Sequence, residues 1–399
     1  MTTQTFDVVV VGGGPSGATC AHDLARQGRS VLLLDKAGRI KPCGGAIPPR
    51  LIRDFDIPAH LLVARITSAR MVSPSDKEVD MPIDTGGFVG MVDREDFDEF
   101  LRIRAAESGA TRATGSFENL ARDPDGTAVV EYRAKGAPDD APLTRARARL
   151  VIGADGARSQ VGRQAVPGAD KVKCVFAYHE IVEAPKNEVP SYDADRCDVY
   201  YQGKLSPDFY AWIFPHGDKV SIGTGSMHKG FSLRGSVADL RKATGFDKLR
   251  TIRHEGAPIP LKPLRKWDNG RDVLLAGDAA GVVAPASGEG IYYAMLGGRL
   301  AAEAAEEFCR SGSPAALGLA RKRFMKQHGR VFWVLGIMQY FWYSSDKRRE
   351  KFVKICEDKD VQRLTWQSYM NKELVRRDPL AHVKIFFKDM AHLLGFARA

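Results

Sequence analysis

Cysteine pairs, metal-ligand spacings and long apolar runs are all missing from this 399-residue sequence. Its six cysteines form no C-x-x-C pair, and its nine histidines show neither H-x-x-x-H nor H-E-x-x-H spacing, so we predict no disulfides and no metal site. No apolar run reaches the length of about eighteen residues that a membrane-spanning helix needs. The first apolar strand begins within about seven residues of the start, which leaves no room for a signal or transit peptide. We therefore expect a cytoplasmic location.

Positive charge is in excess, with a formal net charge of +10, but no nucleic-acid-binding motif accompanies it, so we expect no nucleic-acid partner. Basic residues flank an apolar and aromatic segment at 331–343. This pattern favours a helix that lies on an anionic membrane surface, although a helix packed on the core could produce it as well. The flanking basic residues are Arg321, Lys322, Arg323, Lys326, Arg330, Lys347, Arg348, Arg349, Lys351 and Lys354.

A glycine-rich turn near the start follows a β-branched run and precedes an amphipathic stretch and a second apolar run that ends at Asp35. Gly12 allows a tight turn, Gly14 lets the backbone approach a pyrophosphate, and Gly17 lets helix and strand pack closely. The helix N-terminus presents free N–H groups to phosphates, and Asp35 is placed to accept hydrogen bonds from a ribose diol. The order of these parts predicts a dinucleotide-binding βαβ unit.

Two later segments repeat the transition from a strand to a turn that carries an acid beside glycine. The run at 149–152 leads to Asp155, and the run at 273–276 leads to Gly277 and Asp278. Ligands bind at the carboxyl ends of strands in an open parallel sheet, and Asp278 could accept hydrogen bonds from a ribityl chain. Each segment taken singly could also be an ordinary turn.

Together these three segments resemble the FAD-binding signature of the aromatic-hydroxylase-like flavoprotein superfamily. The resemblance implies an α/β fold: a Rossmann-like FAD-binding domain, an antiparallel β-sheet substrate domain and a helical C-terminal region. It implies that the early glycines hold the ADP pyrophosphate, that Asp155 lies near both cofactors, and that Gly277 and Asp278 hold the ribityl chain. Arg94 resembles the flavin-contacting arginine of the same superfamily.

The resemblance and the order of patterns predict a discontinuous FAD-binding domain over residues 1–65, 88–160 and 269–325. The substrate domain is expected at 66–87 and 161–268, and the helical region at 326–399. Alternation with period two predicts strands of the substrate sheet at 198–202, 210–214 and 219–224.

Three further stretches resemble the geranylgeranyl reductases of chlorophyll and bacteriochlorophyll synthesis: Lys41–Pro48, Tyr210–Pro215 with its Y-x-W-x-F-P pattern, and Arg377–Lys384. This resemblance implies reduction, dependent on FAD and NADPH, of the geranylgeranyl tail of a pigment, or of geranylgeranyl diphosphate, to phytyl. Asp35 departs from the glutamate common in the family, which shortens the reach to the ribose. The absence of a leader favours a bacterial member. Together with the basic and aromatic segment at 331–343, the resemblance implies a peripheral location on the inner face of the photosynthetic membrane and contact with a pigment synthase.

Tyr210, Trp212 and Phe214 alternate along one predicted strand, so their side chains project to one face. In a tail reductase these rings would line the substrate tunnel and stabilise positive charge that develops on the alkene. A row of aromatic residues in the core of a β-sandwich would show the same spacing.

Cys43, Gly44 and Gly45 form a loop that the family pattern places beside the flavin, where Cys43 would contact the substrate. An ordinary small buried cysteine is the alternative. Gly288 and Gly290 precede an apolar stretch and are expected to begin a helix aimed at the isoalloxazine, where its dipole would stabilise an anionic reduced flavin. A simple helix cap is compatible with the same sequence.

Other functions stay open at this point. A monooxygenase or halogenase could use the same fold, although halogenases carry W-x-W-x-I-P, from which Tyr210 and Phe214 depart. A non-catalytic flavin or pigment carrier is a third class. The sequence shows no second dinucleotide fingerprint for NADPH, so a ferredoxin donor is also open, and Asp139-Asp140 does not continue into the D-D-x-x-D pattern of a diphosphate–magnesium site.

Overall fold

The computed structural model describes residues 4–36, 40–41, 43–83, 86–187 and 189–372. It divides into two compact units. The first unit draws on the segments Met1–Lys41, Arg94–Val175 and Pro258–Gly336, and the second unit on Pro42–Asp93, Phe176–Ala257 and Ile337–Ala399. The three-part functional division expected from the sequence stays a prediction, because these units are defined by packing and not by ligands.

The strands in chain order are β1 Gln4–Val11, β2 Val31–Asp35, β3 Ala46–Ile47, β4 Ala64–Ile66, β5 Ser68–Val72, β6 Glu78–Pro82, β7 Val89–Met91, β8 Thr111–Arg122, β9 Ala128–Ala134, β10 Thr144–Gly153, β11 Cys174–Glu183, β12 Arg196–Tyr200, β13 Ala211–His216, β14 Lys219–Ser226, β15 Thr251–Pro260 and β16 Val273–Leu275. The α-helices are α1 Pro15–Arg26, α2 Pro49–Asp54, α3 Arg94–Glu107, α4 Gln160–Ala165, α5 Leu233–Thr244, α6 Ile291–Ser311, α7 Gly318–Trp342, α8 Asp346–Ile355 and α9 Lys359–Asn371.

The first unit contains a sheet in which β8, β2, β1, β10 and β16 run parallel, while β9 pairs antiparallel with β8 and β10. The run at 8–11 is buried throughout, as expected for a central parallel strand covered on both faces. Pro15 begins α1, where its missing N–H costs no hydrogen bond. The predicted βαβ unit is confirmed, and the two acid-bearing turns follow the carboxyl ends of β10 and β16.

The second unit is organised by a seven-stranded sheet in the order β15-β11-β14-β13-β12-β5-β6. The expectation of a purely antiparallel sheet is wrong at one pairing, because β12 and β5 run parallel. A parallel pair of strands requires a long crossover connection, and the chain between β5 and β12 is long enough to form one. Tyr210, which was expected to begin a strand, lies just before β13.

The two faces of this sheet differ in character. On one face α5 packs through Val237 and Leu240 against Ile213 and Ile222 of the central hairpin. Because side chains alternate along a strand, the neighbouring residues Trp212 and Phe214 belong to the opposite face. We call the set Tyr210, Trp212 and Phe214 the aromatic face.

The expected helical C-terminal region is confirmed over its described part by α7, α8 and α9, although α7 begins at Gly318, before the expected boundary at residue 326. Within the second unit, α9 packs through Trp366, Tyr369 and Met370 on a buried cluster that includes Met91, and Phe214 packs on the same cluster. The Arg377–Lys384 stretch lies outside the described residues. Among the helices that the structure describes, none is long and apolar enough to cross a membrane.

Candidate functional site

The turn from Gly12 to Gly17, here called the glycine cradle, is shaped by contacts that exclude side chains. Gly12 has φ +106°, and a Cβ atom built on it would lie 2.4 Å from the Ala154 carbonyl oxygen. A Cβ on Gly17 would lie 1.8 Å from the Gly12 carbonyl oxygen. Around Gly14, in contrast, a Cβ would meet no atom within 4 Å. Gly12 and Gly17 are therefore required for the packing of this turn, while Gly14 borders open space where a ligand could approach.

The beginning of α1 is well suited to an anionic group. Its N-cap residue, Gly14, has no side chain to accept the first free N–H groups. Ser16 in the first turn is buried, and its hydroxyl has no hydrogen-bond partner among the described residues. A buried hydroxyl without a hydrogen-bond partner destabilises the fold. A bound phosphate oxygen would accept its hydrogen bond and remove this cost. The chemistry of this cradle fits a dinucleotide pyrophosphate, and Ser16 is a candidate contact that the sequence pattern did not predict.

Two glycines that are distant in the sequence also pack against Ser16. A Cβ on Gly277 would lie 2.6 Å from the Ser16 Cβ, and one on Gly298 of α6 would lie 2.1 Å from the Ser16 carbonyl oxygen. The Gly277 turn and α6 can pack this closely only because these positions lack side chains. The structure thus brings the first and third predicted motifs together.

Asp35 closes the other side of the glycine cradle. Its Oδ2 accepts a hydrogen bond of 2.8 Å from the Gly13 N–H. Arg102 donates to the Gly13 carbonyl oxygen at 3.2 Å and lies 3.8 Å from Asp35 Oδ1. The predicted ribose contact stays a prediction, and Arg102 is a second residue that the sequence did not reveal, because only the fold brings α3 to the cradle.

Asp278 is buried and forms an ion pair with Lys41, which the sequence reasoning had not singled out as a charge partner. Gly290 is the N-cap of α6, and a Cβ on it would lie 4.0 Å from Asp278 Oδ1. Gly288 donates its N–H to the Ala284 carbonyl at 3.0 Å, which folds the loop before the helix. The α6 N-terminus and the Asp278 carboxylate therefore lie side by side, as a ribityl and isoalloxazine site would require.

Two predicted contacts have firm structural partners within the first unit. Arg94 is buried and makes a bidentate pair with Asp98 at 2.8 and 2.7 Å, one helical turn along α3. Asp155 accepts hydrogen bonds from Ser159 Oγ and from the first N–H groups of α4. Burial raises the pKa of Asp155 above its ordinary value, although these hydrogen bonds oppose the rise. The contacts of Arg94 and Asp155 with a cofactor stay predictions.

The aromatic face is continuous. The ring centroids of Tyr210 and Trp212 are 6.0 Å apart, and those of Trp212 and Phe214 are 6.1 Å apart. A Cβ on Gly223 of β14 would lie 2.2 Å from the Trp212 indole, so the ring rests directly on the neighbouring strand. The expectation that the three rings share one face is confirmed.

A buried polar chain fixes the Trp212 indole. Trp212 Nε1 donates to Ser221 Oγ at 3.1 Å, Ser221 Oγ lies 2.9 Å from His179 Nδ1, and His179 Nε2 lies 2.7 Å from Glu255. Burial lowers the pKa of His179, and Glu255 opposes that effect. With neutral His179, Ser221 donates to Nδ1 and Nε2–H donates to Glu255, so every group is satisfied. No pattern in the sequence predicted this hydrogen-bonded chain.

The loop that contains Cys43 lies beside the aromatic face. Cys43 is half-buried, and its Sγ accepts a long hydrogen bond of 3.4 Å from the Gly45 N–H. A Cβ on Gly44 would lie 2.9 Å from the Phe214 ring. The structure therefore brings the predicted substrate contacts Cys43, Tyr210 and Trp212 into one region of the second unit, linked through Gly44 and Phe214.

Comparison with known proteins gives a consistent result. Residues 10–67 match a family model described as an NAD(P)-binding Rossmann-like domain. The chain is 60% identical over 390 residues to a Rhodobacter capsulatus protein named geranylgeranyl diphosphate reductase, with 98% of both chains covered. It is 36% identical over 405 residues to the chloroplastic protein of that name from Oryza sativa subsp. japonica, with 97% of this chain and 86% of the other covered.

A solved structure of a geranylgeranyl bacteriochlorophyll reductase-like protein from Thermoplasma acidophilum superposes with a TM-score of 0.81. That likeness covers 95% of this chain and all of the other at 24% identity, and it shows the shared fold. The near full-length identity to the Rhodobacter capsulatus protein shows the family. This chain belongs to the geranylgeranyl reductase family.

Proposed function

We propose that the protein is an oxidoreductase that hydrogenates C=C bonds of a geranylgeranyl group, with FAD as its cofactor and NADPH as the reductant. The observation that carries this proposal is the 60% identity, over nearly the whole of both chains, to a protein named geranylgeranyl diphosphate reductase. The glycine cradle and the aromatic face are compatible with it, because one suits a dinucleotide and the other suits an apolar chain.

The residues of the first unit are chemically compatible with FAD. The α1 N-terminus and the Ser16 hydroxyl would bind the pyrophosphate, Asp35 the ribose, and Asp278 with the α6 N-terminus the ribityl chain and the ring. When bound, FAD would supply the two-electron chemistry for hydride transfer between NADPH and an alkene carbon.

The chain's own residues must support the charge that develops on the substrate. A trisubstituted alkene has no carbonyl to accept negative charge, so hydride addition to one carbon requires a proton on the other. Each cycle thus consumes one NADPH and one proton and converts C=C to CH–CH. Positive charge that builds at the tertiary carbon would be stabilised by the faces of Tyr210 and Trp212. We propose that the half-buried Cys43 contacts the same part of the substrate.

We favour the pigment-bound geranylgeranyl tail over free geranylgeranyl diphosphate as the substrate. The test is anaerobic incubation of the purified holoenzyme with NADPH and either geranylgeranylated bacteriochlorophyll or geranylgeranyl diphosphate, followed by mass spectrometry. Stepwise gains of hydrogen pairs on the pigment tail are expected. Gains on the diphosphate alone would reassign the substrate, and a gain of oxygen after admission of air would indicate a monooxygenase.

We also propose that α7 mediates peripheral association with the inner face of an anionic membrane. Trp333, Ile337 and Tyr340 are 69%, 48% and 84% exposed, and their spacing places them on one face of the helix. Lys326 and Arg330 continue the same stripe toward the helix N-terminus and are exposed. Apolar and aromatic residues beside basic ones are typical of helices at anionic lipid surfaces. Contact with a pigment synthase on that membrane remains a proposal drawn from the family resemblance.

Vesicle co-sedimentation tests the membrane proposal. The protein should bind vesicles that contain an anionic phospholipid more strongly than vesicles of a zwitterionic one, and Trp333→Ser should weaken this binding severalfold. Ile252→Ser is the matched control, because Ile252 is also exposed but lies on β15. Equal binding of the parent and Trp333→Ser proteins would contradict the proposal.

A further inference from the structure

The tight turn between β13 and β14 places two basic side chains beside one acid. His216 ends β13, Lys219 begins β14, and the two residues are paired across the hairpin. Asp93, which follows β7, lies 3.2 Å from His216 Nδ1 through Oδ1 and accepts from Lys219 Nζ at 2.9 Å through Oδ2. His216 is only 3% exposed, so its hydrogen-bonding groups must be satisfied within the protein.

Both ring nitrogens of His216 face hydrogen-bond acceptors. Nε2 lies 3.1 Å from the Gly44 carbonyl oxygen, which can only accept. Burial alone would raise the pKa of Asp93, but the hydrogen bonds from His216 and Lys219 outweigh burial and hold that pKa well below its ordinary value. Asp93 is therefore ionised and also only accepts. A neutral imidazole would leave one bare nitrogen facing an acceptor, whereas an imidazolium donates to both.

The Gly44 end of this chain belongs to the loop that carries Cys43. Gly45 has φ +71°, and a Cβ on it would lie 2.4 Å from His216 Cε1, so the loop backbone rests on the imidazole. Val92 donates its N–H to the Gly45 carbonyl at 2.9 Å. Among the described residues, His216 provides the side-chain hydrogen bond that holds the Gly44 carbonyl, on the side of the loop that meets Phe214.

Other charged groups surround the pair without competing for its hydrogen bonds. Asp218 in the turn is exposed, and Arg253 is paired with Glu255 at 2.9 Å. His179, whose pKa His216 lowers electrostatically, already bonds to Ser221 and Glu255. The only acid that contacts His216 in the described part of the chain is Asp93.

We propose that His216 acts as a doubly protonated positioning residue, whose imidazolium bridges the Asp93 carboxylate and the Gly44 carbonyl and thereby holds the Cys43–Gly45 loop against the aromatic face. The proposal deepens the proposed function, on which it rests for the role of this loop as a substrate contact. Its two structural claims, that the loop is fixed and that His216 is charged, can be tested without substrate or turnover.

The first measurement uses Cys43 as a reporter of loop order. Cys43 and Cys174 are the two cysteines that are not buried, so a Cys174→Ser background isolates Cys43 for alkylation by an uncharged reagent. In that background His216→Asn should raise the alkylation rate about tenfold or more, because a charge-assisted hydrogen bond is lost. Removal of a nearby positive charge would by itself make the thiol less reactive, so a rate increase reports release of the loop.

Two variants serve as controls for this measurement. Lys219→Met removes the other cation bound to Asp93 but leaves the His216–Gly44 bond, and it should change the rate less than about twofold. His228→Asn replaces an exposed histidine and should have no effect. An unchanged alkylation rate in a folded His216→Asn protein, verified by circular dichroism, would overturn the proposal.

The second measurement is nitrogen NMR of protein with labelled histidine, in which the His216 signals are assigned by their loss in His216→Asn. At neutral pH both ring nitrogens should show the signature of protonation. A signal from one bare nitrogen would overturn the assignment of charge. Because neither readout involves NADPH or prenyl substrate, failure of the reductase assay and failure of this proposal are separate results.

Discussion

The glycine cradle of the first unit is built from backbone, whereas the aromatic face of the second unit is built from side chains. In the cradle, Gly12 and Gly17 are required because any Cβ would overlap a carbonyl group. On the aromatic face, the position of Trp212 depends on a hydrogen-bonded chain through Ser221 and His179. The first site tolerates no added atoms at Gly12 and Gly17, and the second site tolerates no loss of a hydrogen-bond partner. Substitutions in the glycine cradle and near the aromatic face can test these two requirements separately.

The largest effect on stability is expected at Gly17, where two backbone segments are in close contact. Gly17→Ala should lower the free energy of unfolding by about 3 kcal/mol or abolish folding, because its Cβ would overlap the Gly12 carbonyl oxygen. Gly336→Ala, inside α7 with open space around its Cβ position, should be neutral or stabilise by up to about 1 kcal/mol. Denaturant unfolding measures both. A Gly17→Ala protein with the parent's unfolding midpoint would show that the cradle can relax.

Gly14→Val separates ligand binding from folding within the same cradle. Nothing lies within 4 Å of its Cβ position, and valine is a poorer N-cap residue than glycine, so the free energy of unfolding should fall by no more than about 1 kcal/mol. The valine would occupy the approach to the pyrophosphate and weaken FAD binding about a hundredfold or more. Flavin titration of the apoprotein measures this, with Gly14→Ala as a milder variant. A yellow Gly14→Val protein with full flavin content would refute the cofactor site.

Ser221→Ala tests the side-chain site by removing a partner. It leaves the Trp212 N–H and His179 Nδ1 buried without their shared hydrogen-bond partner and should cost about 2 kcal/mol of unfolding free energy. Trp212 fluorescence should shift with it. Ser344→Ala, at an exposed position, is the control and should cost less than about 0.5 kcal/mol. If the two variants are equally stable, the polar chain does not support the aromatic face.

The smallest effect is a pH dependence that belongs to the second unit. Burial lowers the pKa of His179, so below about pH 6.5 the unfolded chain binds a proton that folded His179 does not. Stability should therefore fall as the pH decreases below about 6.5, by at most about 1.4 kcal/mol per pH unit from this group. His179→Gln should show a shallower slope in unfolding measurements between about pH 7.5 and 5. Identical slopes would mean that His179 gains its proton in the folded state.

Local patterns predicted the first unit well. The β-branched run, the glycine spacing and Asp35 correspond to β1, the glycine cradle and the end of β2, because all of these are set within some thirty consecutive residues. In the second unit the pattern predicted the strands near 198, 210 and 219 and the shared face of the three rings. It did not predict the parallel pairing of β12 with β5, since register between distant strands leaves no local trace.

The site residues that the sequence did not reveal share one property: each forms its contact with a residue that is far away in the sequence. Lys41 pairs with Asp278, and Arg102 reaches the cradle from α3. His179 is satisfied only because Ser221 and Glu255 lie on neighbouring strands. Charged and polar side chains carry no periodic signal of their own, so such pairings emerge only when the sheet is assembled.

The amino-acid sequence by itself determined the places where side chains must be absent or apolar, because backbone conformation and hydrophobic alternation act over a few residues. The tertiary structure alone decided which polar groups meet: Lys41 with Asp278, Trp212 with Ser221, and His216 with Asp93 and Gly44. Hydrogen bonds act over about 3 Å, and only the complete fold brings groups that are separated by tens or hundreds of residues to that distance.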